Sequence, residues 1–106
     1  MSTLATIAVR LGQDSYDAVY LHQDGYPQHT GEVLRARHTS LDQAKSLVAG
    51  GDIRSLDAET GVADYFGECS NPERIYSQDA LVERANQMWA QYLYVFDGEA
   101  WTCVGL

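Results

Sequence analysis

Thr6-Ile7-Ala8-Val9-Arg10-Leu11 and Tyr16-Asp17-Ala18-Val19-Tyr20-Leu21-His22 are two alternating runs separated by Gly12-Gln13-Asp14-Ser15. In the first, Ile7, Val9 and Leu11 share one side and Ala8 and Arg10 the other. In the second, Val19 and Leu21 oppose Ala18, Tyr20 and His22. Alternation with a period of two on both sides of a Gly/Asp/Ser turn predicts an antiparallel hairpin.

The C-terminal end repeats the pattern. Tyr92-Leu93-Tyr94-Val95-Phe96 is a strand by residue type, Asp97-Gly98 is a hairpin turn signal or part of a slightly longer loop, and Trp101 to Val104 returns as a last strand. Between the hairpins the period changes. Thr30 is placed to cap a short helix from Gly31 to about His38, with Val33 and Leu34 inward. Ser40 and Gln43 form a capping box ahead of the stripe Leu41, Ala44, Leu47 and Val48, which Gly50-Gly51 ends. A further helix is expected from about Gln78 to Trp89, with Leu81, Ala85, Met88 and Trp89 toward the core. The stretch from Asp52 to Ser77 is broken by Gly61, Gly67, Asn71 and Pro72; Ile53 and Leu56 read as anchors of a short turn, and Val62 to Phe66 as a brief strand or loop. The expectation is a single α+β domain over residues 1–106: an antiparallel four-stranded sheet of two hairpins, with about three helices packed on one face.

Composition bounds the function. The 106 residues, 45% hydrophobic, suffice for one core without metal or disulfide staples. Seven Lys plus Arg against fifteen Asp plus Glu give a formal charge of −8, which argues against direct binding of nucleic acid or of an anionic membrane surface. No basic leader precedes an apolar run and no stretch approaches the length of a membrane helix, so a cytoplasmic protein with reduced Cys69 and Cys103 is expected.

No catalytic or metal constellation stands out. His22, His29 and His38 are spaced by seven and nine residues, unlike the short paired spacings of zinc sites. Neither Cys69 nor Cys103 has a nucleophile's context, and no phosphate-cradling glycine loop or dinucleotide fingerprint occurs. A non-enzyme without cofactor or metal is the expectation. Two other features carry chemistry. Asp52, Asp57, Glu59, Asp64, Glu68 and Glu73 crowd one irregular region opposed by Arg54 and Arg74, and carboxylates so placed can stand where a basic cleft expects phosphates. The run His22-Gln23-Asp24-Gly25-Tyr26-Pro27 is a rigid, polar and aromatic turn that serves either recognition or folding. Tyr92, Tyr94 and Phe96 share one strand face, either under a helix or presented outward as an interface.

The stretch Val19-Tyr20-Leu21-His22-Gln23-Asp24-Gly25-Tyr26-Pro27, followed by Gly31 and Leu34, resembles a group of small phage and prophage proteins with an H-x-D-G-Y-P-x-x-x-G-x-x-L core. Leu47 to Leu56 and Trp89 to Phe96 are similar to that group as well. The chain departs from it at Ala63-Asp64-Tyr65-Phe66-Gly67-Glu68, where the group is more basic. The resemblance implies an accessory protein of a mobile element and carries no catalytic residues. Small acidic phage proteins are often inhibitors of host machinery. The expected function is therefore a phage-encoded, anti-CRISPR-like inhibitor, monomeric or homodimeric. It would bind the basic surface of a host CRISPR effector or other defence nuclease as a DNA mimic. Its expected partner-binding residues are Asp24, Tyr26, Asp57, Glu59, Asp64, Tyr65 and Glu68. One alternative is a binder of a nucleotide signal, with His22, Asp24, Tyr26 and His29 lining the pocket. Another is a regulatory or structural phage protein that assembles through its aromatic sheet face.

Overall fold

The first run forms β1 (Ala5–Arg10) and the second β2 (Tyr16–Leu21), paired antiparallel from Ala5 opposite Leu21 to Arg10 opposite Tyr16. The computed structural model describes residues 3–66 and 71–106. Every residue of β1 except Arg10 is buried, so both faces of this strand are covered. The last hairpin forms as read: β6 (Tyr92–Phe96) and β7 (Trp101–Gly105) pair antiparallel. Its turn spans Asp97 to Ala100, where the Asp97 carboxylate accepts the N–H groups of Glu99 and Ala100 at 2.8 and 2.9 Å.

The sheet is larger and more mixed than the expected four antiparallel strands. Among the described residues it has seven strands: β4 (Ala63–Tyr65), β3 (Ile53–Leu56), β2, β1, β6 and β7 lie in that order, and β5 (Glu73–Ile75) adds to β2. The two hairpins join through a parallel β1–β6 pair, and β2 meets β3 in parallel at Leu21 and Ile53. A parallel neighbour is reached only through a long crossover, so local alternation carries no trace of it. Ile53 and Leu56 are thus buried strand residues, not anchors of a turn. The three-residue β5 has no apolar alternation to announce it.

Helices cover both faces of the sheet, not one. On one side α1 (Glu32–Arg37) and α2 (Leu41–Ala49) bury Val33, Leu34, Ala44, Leu47 and Val48 against Ile7, Val9, Leu21, Tyr94 and Phe96. The capping box of α2 is present, with Ser40 accepting from the Gln43 N–H at 3.1 Å and the Gln43 side chain accepting from the Ser40 N–H at 3.2 Å. On the other side α3 (Gln78–Gln87) sets Leu81 and Ala85 onto Ala8, Ala18 and Leu93. The small side chains of Ala8 and Ala18 face each other across the β1–β2 ladder, which lets this helix approach closely.

Two helix ends differ from expectation. Thr30 does not cap α1; it lies inside a five-residue π-helical turn, Pro27–Gly31, fully buried. α3 stops at Gln87, and Trp89 is 81% exposed at a φ of 63°, not in the core. The N–H of Trp89 bonds to Asn86 O at 3.1 Å and that of Ala90 to Ala85 O at 3.0 Å, the paired bonds of a Schellman cap. That left-handed position normally holds glycine, so the sequence offered no stop signal there. Buried Ala90 supplies the apolar contact of the motif.

Candidate functional site

The Asp24–Pro27 turn is fastened to the core by its backbone. Gly25 N–H donates to Thr3 O at 2.9 Å, and the buried Tyr94 hydroxyl donates to Gly25 O at 2.7 Å. Thr30 Oγ1 donates to Asp24 O at 2.6 Å. A Cβ on Gly25 would lie 2.7 Å from Ala5 Cβ and 2.9 Å from Thr3 O, so only glycine fits. Burial pushes the Tyr94 phenol well above its ordinary range, which keeps it a donor. Asp24 itself has a φ of 58°, and its exposed carboxylate makes no hydrogen bond or ion pair with the described residues.

From this turn the π-helical segment carries His29 to the end of β3. Its Nε2–H donates to Leu56 O at 2.9 Å, and its ring lies 6.0 Å from that of Tyr26, which is 37% exposed. The chain after β3 folds into a second turn. There Asp57 Oδ2 accepts from Thr60 N–H at 2.7 Å, Thr60 Oγ1 at 2.8 Å and Glu59 N–H at 3.2 Å. The bond from the Thr60 amide, then that from its hydroxyl, hold the Asp57 carboxyl below the usual carboxylate value. Gly61, at a φ of 74°, closes the turn against Arg37, and His38 Nε2–H donates to Gly61 O at 2.8 Å.

These segments enclose a broad, open groove of about 930 Å³. Asp24, His29, Asp57 and Asp64 line it together with Thr60 and Val62, and none of its described lining residues is Lys or Arg. Val62, 65% exposed, puts an apolar spot among the carboxylates, and no local pattern in the sequence marks it. Glu59 stands exposed in the Asp57–Thr60 turn beside the groove. Four of the expected partner-binding residues, Asp24, Asp57, Glu59 and Asp64, therefore gather on one surface, with Tyr26 at its margin through His29.

Other expectations separate. Tyr65 is not a free anchor: its hydroxyl donates to Leu47 O at 2.5 Å, and its ring closes over Gly50. Burial raises its pKa. Glu68 and Cys69 lie outside the described residues. The His22 ring packs edge-on to Phe66 at 5.8 Å and beside Tyr20 at 6.1 Å, apart from the groove that His29 lines. Of the four residues of the nucleotide alternative, Asp24 and His29 thus line the groove together, and His22 and Tyr26 are not among its lining residues.

The carboxylates between Asp52 and Glu73 also divide. Asp52 accepts the Tyr20 N–H at 3.0 Å, and Glu73 pairs with Arg84 at 3.0 Å. Arg74 pairs with Asp17, and Arg54 lies over the Phe66 ring at 5.1 Å. The aromatic strand face is covered as well: Tyr94 and Phe96 are 1% exposed beneath α1 and α2, so that face is no assembly surface.

Among the described residues no group of three His, Cys, Asp or Glu is placed to hold a metal ion, and no helix is long and apolar enough to cross a membrane. No protein-family model, curated protein or solved structure matches the chain.

Proposed function

We propose that the protein is a non-enzymatic, phage-encoded inhibitor that sets its acidic groove against a basic, nucleic-acid-binding surface of a host defence nuclease complex of the CRISPR-effector kind. The observation that carries this reading is the groove itself. Carboxylates from the turn after β2, the turn after β3 and strand β4 converge on a groove whose described lining residues include no Lys or Arg. A surface of that kind accelerates and orients docking on a cationic cleft. Its openness favours a macromolecular partner, because a small ligand is held by a pocket that encloses most of its surface.

The test is capture of purified effector complexes, and of complexes in host lysate, at low and at moderate salt, with nucleic acid as competitor. Docking through the groove is expected to weaken as salt rises, since about 0.1 M salt screens exposed charges beyond about 10 Å. Cognate nucleic acid should displace the protein. The triple variant Asp24→Asn, Glu59→Lys, Asp64→Lys should lose binding while keeping its fold, because Asp57 is left in place to cap its turn. Binding that ignores salt, competitor and charge reversal alike would overturn the proposal.

A further inference from the structure

The acidic groove lies at one side of the sheet, toward β4. The opposite side ends at β7, which has β6 as its one strand neighbour among the described residues. The bonds from Asp97 N–H to Ala100 O at 3.1 Å and from Leu106 N–H to Gln91 O at 2.9 Å fix the phase of the β6–β7 ladder. Hydrogen-bonded pairs alternate in an antiparallel ladder, so Thr102 and Val104, opposite Val95 and Leu93, turn their backbone groups toward β6. Trp101, Cys103 and Gly105 turn theirs outward, to an edge on which no strand of the described residues lies.

This edge lacks the usual protections. Trp101-Thr102-Cys103-Val104-Gly105 contains no charge and no proline, and its ladder with β6 runs without a bulge. It is also held firmly from the core side: the Trp101 indole N–H donates to His38 O at 2.7 Å, and its ring packs edge-on to Phe96 at 5.3 Å. The other end of the sheet differs, since β4 carries Asp64 and borders the Asp57–Thr60 turn with Glu59.

We infer that the free edge of β7 pairs with the same edge of a second copy of this chain, antiparallel and centred on Cys103. In that register Cys103 meets Cys103 of the second copy, and Trp101 meets Gly105 on either side. All three outward-facing residues of each copy then form hydrogen-bonded pairs. A shift of two residues in either direction leaves one of them without a partner strand residue.

Two observations select a second copy as the occupant. Each chain carries a formal charge of −8, and β7 has no charged side chain, so two copies paired there set no like charges opposite each other in the ladder. Beside it, on the α3 side, a cleft of about 210 Å³ has a floor of Val82, Val95, Val104 and the buried Leu93, with Arg10 and Asp97 also in its lining. Val104 is 44% exposed there. In the proposed register Thr102 and Val104 of one copy face Val104 and Thr102 of the other, about 4.5 Å apart at Cα, and continue that floor across the dyad. This inference does not depend on the acidic groove, and its salt dependence has the opposite sign: salt screens the repulsion of two acidic copies and tightens the dimer.

The experiment is sedimentation equilibrium of the whole chain over a concentration series at low and moderate salt, with amide hydrogen exchange followed in the same samples. The expected result is a monomer–dimer equilibrium that shifts toward dimer with salt. The Trp101, Cys103 and Gly105 amides should exchange freely in dilute protein and become protected as dimer forms, while Thr102 and Val104 stay protected throughout. Cys103→Pro removes an outward N–H that β6 does not use, so it should leave a folded monomer that no longer pairs. A chain that stays monomeric at every concentration overturns the inference. So does a dimer whose formation leaves the Cys103 and Gly105 amides unprotected, whether or not the proline variant folds.

Discussion

The two aspartate turns that border the groove commit opposite halves of the same residue type. At Asp24 the backbone is fastened: its own carbonyl accepts from Thr30, and the next residue bonds to Thr3 and Tyr94. Its carboxylate is left facing solvent. At Asp57 the carboxylate is the part in use, accepting three bonds from Glu59 and Thr60 within the turn. The first turn is therefore a long-range device that presents a free charge, and the second is a local device whose charge is already engaged. The sequence marks Asp24 as part of a rigid turn and Asp57 as one of several carboxylates in an irregular region, and Asp24 is the better candidate to meet a partner.

If the first turn is built into the core, the largest loss should follow from adding a side chain at Gly25, where no room exists for one. Gly25→Ala places a methyl group against Ala5 and the Thr3 carbonyl. The overpacking should cost about 2–3 kcal/mol, read as a lower urea midpoint at unchanged slope. The matching change in the second turn region, at an exposed position such as Glu59→Ala, should stay within about 0.5 kcal/mol. Equal losses at the two positions would break the distinction.

Tyr94→Phe tests the same tie from the other end. It leaves Gly25 O buried without its donor and should cost about 1–3 kcal/mol. The wild-type protein also carries a pH signature. Burial raises the Tyr94 pKa above its ordinary 10.0, so this stabilisation is fully present below pH 10 and is lost as pH rises from there toward the raised value. Alkaline unfolding followed by circular dichroism should show a steeper loss above pH 10 in wild type than in Tyr94→Phe.

Trp89 sharpens the comparison from a third position. Asp24 and Trp89 are the described non-glycine residues with positive φ, at 58° and 63°. Aspartate visits this region readily, whereas a bulky side chain there costs about 1–2 kcal/mol. Since Trp89 is 81% exposed, little packing is lost on removing it. Trp89→Gly should therefore stabilise the protein by about 1 kcal/mol, visible as a rise in Tm.

What the sequence disclosed follows the range of each interaction. The β1–β2 and β6–β7 hairpins and the α2 capping box are set by residues a few positions apart, and all were legible. The parallel β1–β6 and β2–β3 pairs depend on crossovers through the helices, and β5 on a three-residue pairing with no periodicity. None of these leaves a local mark. The site divides in the same way. Asp24, Asp57, Glu59 and Asp64 could be chosen by charge, since exposed carboxylates stay exposed wherever the chain runs. Tyr65 could not, because a tyrosine reads the same whether its hydroxyl is free or bonded to Leu47 O. The reverse holds for Thr30, whose cap-like position hid a buried bond to Asp24 O.

The acid side separates the two turns with smaller effects. The Thr60 amide, then its hydroxyl, keep the folded pKa of Asp57 below the ordinary 3.8. Its stabilisation is therefore present above about pH 3.8 and fades as pH falls through the lowered folded value. Asp57→Ala should flatten that part of the acid limb, while Asp97, held low by the Ala100 and Glu99 amides, keeps the remainder. Asp24→Asn should leave the fold intact. Asparagine tolerates the same left-handed backbone, and no described residue bonds to the carboxylate it replaces, so the stability change should be within about 0.5 kcal/mol. Its effect belongs to association: a slower on-rate to a cationic partner, largest at low salt. A stability loss at Asp24→Asn comparable to that of Gly25→Ala would mean that the carboxylate supports the fold, and the groove would then present one charge fewer than its geometry offers.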